Sequence, residues 1–76
     1  MPRMKKPTKR PEWDEFQQPD RPEFSDDGTV YGRVERYREA WQATFDQKPA
    51  GVGATKEEAK RKVENAYERW LERGKG

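Results

Sequence analysis

Trp41-Gln42-Ala43-Thr44-Phe45, then Gly51-Val52-Gly53-Ala54, then Thr55-Lys56-Glu57-Glu58: this run decides the fold. Its first part alternates large or apolar side chains with polar ones, the period of a half-buried strand. Its last part opens a helix with a capping box, in which the Thr55 hydroxyl takes a first-turn N–H and Glu58 reaches back. The helix is expected to run to about Arg73 and to stop at Gly74, since glycine turns left-handed without steric cost. Between strand and helix, Gln47-Lys48-Pro49-Ala50 reads as a loop and Gly51–Ala54 as a short third strand.

Upstream, Asp27-Gly28 signals a turn and Thr29–Arg36 reads as a first strand. Tyr37-Arg38-Glu39-Ala40 is then the hairpin connection. The inward face of the first strand stays open: Val30 and Val34 inside would place Tyr31, Arg33, Glu35 and Tyr37 outside, and the reverse would bury two tyrosines. In the second strand, Trp41, Ala43 and Phe45 are expected to face the helix, leaving Gln42 and Thr44 on the other side. Along the helix, Ala59, Val63, Ala66, Tyr67, Trp70 and Leu71 form one core-facing stripe. Lys62, Arg69 and Arg73 lie on one flank of it; Glu57, Glu64, Glu68 and Glu72 lie on the other. Glu57–Arg61 and Glu58–Lys62 have the spacing of favourable i,i+4 pairs. The expected architecture is α+β: a three-stranded antiparallel sheet on one C-terminal helix, β-β-β-α, over residues 28–74.

Composition restricts what such a unit can do. Of the 76 residues, 42% are charged and 29% hydrophobic. Val30, Val34, Val52, Val63 and Leu71 are the only aliphatic side chains beyond alanine and methionine. Trp41, Phe45, Tyr67 and Trp70 must therefore supply the bulk of the core, each able to bury about 150–250 Å². There is no cysteine and no histidine, which removes the thiolate nucleophile, the commonest metal ligand and the usual general base. Gly51 and Gly53 resemble part of a phosphate loop, but the Gly-Lys-Ser/Thr ending is missing. The chain reads as a binding protein and not an enzyme, with no cofactor and no metal. No apolar run approaches a membrane span or a signal-peptide core, so a cytoplasmic protein is expected.

The net charge of +2 conceals a strong ordering. Arg3, Lys5, Lys6, Lys9 and Arg10 precede any acid, among Pro2, Pro7 and Pro11, and describe a disordered basic arm suited to phosphate backbones or to solubility. Residues 12–27 then carry Glu12, Asp14, Glu15, Asp20, Glu23, Asp26 and Asp27 against Arg21 alone. Trp13, Phe16 and Phe24 lie among these acids. Glu12–Gln18 has the composition for one or two helical turns after Pro11. The aromatics of this segment fold back over the core, present with the acids a linear motif or a patch that imitates nucleic acid, or belong to a disordered stretch.

Tyr37…Trp41-Gln42-Ala43 followed by Thr55-Lys56-Glu57-Glu58-Ala59 resembles the N-terminal arm-binding domains of phage tyrosine integrases. Those domains carry a Trp-x-Ala second strand and a Thr-Lys-x-Glu-Ala helix start, and lay a three-stranded sheet in the major groove of DNA. The family's third strand is basic, whereas Pro49–Gly53 is not. The segment from Gly51 to Lys60 is similar to the start of the second helix in double-stranded-RNA-binding domains, matching at Thr55, Lys56, Ala59 and Lys60. Phe45…Pro49…Gly53-Ala54-Thr55…Glu58-Ala59 through Trp70-Leu71-Glu72 is similar to HicB-like antitoxins, whose partner is a small toxin protein.

The leading reading is a nucleic-acid-binding module of phage or mobile-element type, with duplex DNA favoured over RNA and the open sheet face as its site. Arg33, Gln42 and Thr44 would reach base edges. Arg36, Arg38, Lys48 and Lys56 would contact phosphates, with Lys5, Lys6, Lys9 and Arg10 assisting from the arm. The alternative is an inhibitor or antitoxin that holds a basic protein through Trp13, Phe16, Asp20, Phe24, Asp26 and Asp27, or through Glu64, Glu68 and Glu72. Neither reading calls for a membrane or a small-molecule substrate.

Overall fold

The computed structural model describes residues 10–16, 18–26 and 28–73. Lys5, Lys6, Lys9, Asp27 and the helix stop at Gly74 lie outside them. Five strands precede one helix: β1 (Glu12–Asp14), β2 (Glu23–Asp26), β3 (Thr29–Tyr37), β4 (Ala40–Phe45), β5 (Lys48–Gly53) and α1 (Lys56–Arg73). The strands form one antiparallel meander in the order β1-β2-β3-β4-β5, with α1 packed across β3, β4 and β5. The expected class, an antiparallel sheet on one C-terminal helix, is present. The expected strand number is corrected from three to five.

Glu12–Gln18 accounts for one of the added strands, since residues 12–14 pair with β2 where a helical stub was expected. The reason is tertiary. Trp13 stands opposite Phe24 with ring centroids 4.9 Å apart, and its indole N–H donates to Glu64 Oε2 at 2.9 Å. Pro11 and Pro22 are buried beside them. The acidic–aromatic segment thus folds back over the helix, and its backbone continues pairing with β3 through Val34 N–H to Pro22 O and Arg36 N–H to Asp20 O.

The open question about β3 is resolved by a bulge. Phe24 pairs with Gly32 while Ser25 pairs with Val30, leaving Tyr31 as an extra residue. An extra residue shifts the alternation by one. Tyr31 and Val34 therefore both point inward, at 4% and 0% exposure, while Val30 and Tyr37 remain exposed. Gly32 sits at a close approach of sheet to helix. An added Cβ would lie 2.4 Å from Val63 Cγ1 and 2.9 Å from the Thr44 carbonyl oxygen.

The β3–β4 and β4–β5 hairpins need left-handed residues and obtain them without glycine, whereas Gly28, at φ 80°, lies in the β2–β3 turn. Arg38 has φ 58° in the β3–β4 turn; Asp46 and Gln47 have φ 53° and 64° between β4 and β5. Two successive positive φ values suit a tight two-residue hairpin turn. The expected loop at 47–50 is accordingly shortened, and β5 begins at Lys48. Pro49 is tolerated there because β5 is a sheet edge.

The helix follows its sequence closely. Thr55 Oγ1 accepts from Glu58 N–H at 3.1 Å, and the Glu58 carboxylate accepts from Ala54 N–H at 2.9 Å. Ala59, Val63 and Tyr67 are buried, with Ala66, Trp70 and Leu71 partly buried against the core. Tyr67 is the hub. Phe24, Tyr31 and Phe45 meet its ring edge-on at centroid distances of 5.4, 6.3 and 6.4 Å, the arrangement that aromatic quadrupoles favour. Burial pushes the Tyr67 hydroxyl pKa upward, opposed by the charge of Arg10. Trp41 and Trp70 cover the margins of this core.

Candidate functional site

The sequence-predicted bases do not form one site. Directly opposed residues in antiparallel strands share a face, so the registers sort them. Gln42 stands opposite Glu35 and Thr44 opposite Arg33, on the face away from the helix. Arg33 stands opposite Glu23, and Asp14 opposite Glu23 on the next strand. The open face thus gathers Glu12, Asp14, Glu23 and Glu35 around Arg33. The Arg33 guanidinium is already engaged, 2.7 Å from Glu23 and 3.7 Å from Glu35, and Arg21 lies 3.1 Å from Glu35. Thr44 Oγ1 donates to the Arg33 carbonyl oxygen at 3.2 Å. A phosphate approaching this face would meet more acid than base.

Arg36, Arg38 and Lys56 collect elsewhere, at the β3–β4 turn. Arg36 stands opposite Trp41 on the helix side, its guanidinium carbon 5.9 Å from the Trp41 ring centroid. Lys56 Nζ lies 5.4 Å from the same centroid, and Arg38 lies 5.5 Å from the centroid of Tyr37. Lys56 and Lys60 both bind the Glu15 carboxylate, whose pKa is lowered by the hydrogen bonds from Lys60 and Lys56. Arg10 is held between Glu64 and Glu68 at 4.0 and 3.9 Å, over the rings of Phe24 and Tyr67. These contacts employ Arg10, Lys56 and Lys60 in holding the N-terminal strand to the helix.

The residues proposed for protein binding divide similarly. Trp13 and Phe24 belong to the core margin and core, and Glu64 is occupied by Trp13 and Arg10. Phe16 is 98% exposed. Asp20 and Glu72 are exposed, and Asp26 is half-buried.

On the other side of the helix, cations face a cavity. A groove of about 390 Å³ runs between the C-terminal half of α1 and the β4–β5 hairpin. Lys62, Arg69 and Arg73 line it from the helix and Lys48 from β5, with Asp46 as the single acid. None of the four cations has an ion-pair partner within 4.0 Å among the described residues. Lys62 is released by the cap: its expected partner Glu58 turns back to Ala54 N–H. Its aliphatic stem lies against Gly51, where an added Cβ would approach Lys62 Cδ to 2.5 Å. Phe45, Pro49, Ala50, Ala66 and Trp70 provide the apolar part of the lining.

Among the described residues, Lys48 is the only sequence-predicted contact in this groove. Lys62, Arg69 and Arg73 were missed as site residues, although their common flank was visible in the helical spacing. Its juxtaposition with Lys48 depends on how β5 returns beside α1. Among the described residues there is no group of three or more side chains placed to hold a metal ion, and no helix is long and apolar enough to cross a membrane. Compared with protein-family models, curated proteins and solved structures, the chain matches none.

Proposed function

We propose that this protein is a small non-enzymatic nucleic-acid-binding module whose phosphate contacts lie in the groove between α1 and β5. One observation carries this reading: Lys48, Lys62, Arg69 and Arg73 converge on one groove with a single acid and no ion pairs among the described residues. Four like charges lining one groove, opposed there by Asp46 alone, repel one another, and a polyanion relieves that repulsion while releasing its counterions. Arg36 and Arg38, exposed at the β3–β4 turn, and the basic residues of the N-terminus add further positive charge. The integrase-like β-β-β-α order corresponds to β3-β4-β5-α1, but the open-face route to DNA is disfavoured by the acids around Arg33.

The test is binding of labelled oligonucleotides to the full chain and to a Lys62→Gln, Arg69→Gln, Arg73→Gln variant. With about four phosphate contacts, affinity should fall by roughly 50- to 150-fold between about 50 and 200 mM salt. The variant should bind weakly and lose most of that salt dependence while retaining its circular dichroism. An unchanged salt slope in the folded variant would exclude the groove.

A second reading, a basic protein partner held by the N-terminal segment, draws on Phe16. Its ring is fully exposed beside Trp13 and Glu15, and an apolar anchor within acidic surroundings suits such a partner. Phe16→Asp would abolish that association and leave oligonucleotide affinity intact.

A further inference from the structure

The groove combines two kinds of surface, and a duplex would use one of them. Its rim is cationic, but Phe45 and Trp70 enter its lining together with Pro49, Ala50 and Ala66. A base-paired duplex presents phosphates and base edges, with the faces of its bases hidden in the stack. Seated here, it would satisfy the lysines and arginines and leave the aromatic part of the groove unfilled. A single strand offers both its phosphates and its base faces. Proteins that hold single strands pair a positively charged groove with aromatic rings for that reason.

Trp70 has the placement needed. It is partly buried, and its ring is braced by Tyr31, Phe45 and Tyr67 at centroid distances of 5.8, 5.9 and 5.9 Å. A ring already fixed by three neighbours loses little freedom when a base packs on it. Arg69 and Arg73, one and three residues away on the same helix, line the same groove and stand ready for the adjoining phosphates. The volume of about 390 Å³ falls in the range of sites that enclose small organic groups.

Resting on the nucleic-acid reading above, we infer that the groove takes single-stranded nucleic acid, with a base packed on Trp70 between phosphates held by the Lys48, Lys62, Arg69 and Arg73 rim.

The experiment uses the full chain, an oligothymidylate of about 12 nucleotides and a duplex of equal length. Anisotropy and tryptophan emission are followed together. The strand should bind about tenfold or more tightly than the duplex and quench the emission. Trp70→Phe should remove most of the quench, because Trp13 and Trp41 lie outside the groove, and Trp70→Leu should weaken strand binding about tenfold. Should Trp70→Leu fail to fold, the loss of quench in Trp70→Phe decides alone. Equal or tighter duplex binding, with the quench persisting in Trp70→Phe, would overturn the single-strand assignment and leave nucleic-acid binding standing. Binding to neither oligonucleotide at low salt would overturn both.

Discussion

The Trp13 indole N–H donates to Glu64 Oε2 at 2.9 Å, joining the first strand to the middle of the helix across 51 residues of sequence. This bond, the tilted ring contact of Trp13 with Phe24, and the Arg10 and Glu15 ion pairs make residues 10–16 part of the packed unit. Trp13→Phe removes the donor and retains a ring, and should cost about 1 kcal/mol. Trp13→Ala also removes the ring and should cost about 2–4 kcal/mol. Urea denaturation measures both. A cost of only a few tenths for Trp13→Ala would show that β1 does not unfold with the rest.

Gly32 tests how tightly sheet and helix meet. Its missing side chain is required by Val63 and by the Thr44 carbonyl, both closer than real Cβ contacts allow. Gly32→Ala should destabilise by about 1–3 kcal/mol through overpacking. Adding Val63→Ala should recover part of that loss, a coupling that a double-mutant cycle reads directly. Strict additivity of the two costs would refute the proposed clash.

Glu15 makes stability sensitive to acid. Hydrogen bonds from Lys60 and Lys56 lower its pKa below the ordinary value of 4.5. A depressed carboxylate contributes stability that is present above its unfolded pKa and disappears as pH falls through the folded one. The native chain should therefore lose stability below about pH 4.5 more steeply than Glu15→Gln. Denaturation midpoints measured down to about pH 2.5 test this, and parallel acid limbs for the two proteins would count against it.

Arg33 and Arg69 distinguish the two faces of the protein. Arg69→Gln should weaken oligonucleotide binding about three- to tenfold, since one phosphate contact and its released counterion are lost. Arg33→Gln should change affinity less than about twofold and instead lower stability by about 1 kcal/mol, because Glu23 and Glu35 lose a charged donor. Anisotropy titrations beside thermal melts give both numbers. The reverse pattern would restore the open face as the binding surface.

The elements legible in the sequence are those fixed by short-range physics. Thr55 and Glu58 cap the helix, the apolar stripe from Ala59 to Leu71 faces inward, and the alternation of Trp41, Ala43 and Phe45 sets β4 with its inward face. Each follows from hydrogen bonding or periodicity within a few residues. β1 and β2 were not legible as strands, because residues 12–26 hold no aliphatic side chain and gain their structure from Phe24 and Trp13 packing on distant partners. The same distinction governs the candidate site. Sequence by itself determined the order β3-β4-β5-α1, Phe45 and Tyr67 as core aromatics, and the cationic flank Lys62, Arg69 and Arg73. Only tertiary structure decided that Tyr31 and Val34 both turn inward, that Glu23 and Glu35 neutralise Arg33, and that Lys48 closes a groove with the helix. Registers, bulges and ion pairs join residues far apart in the chain, and their energies exist only once the sheet has closed on the helix.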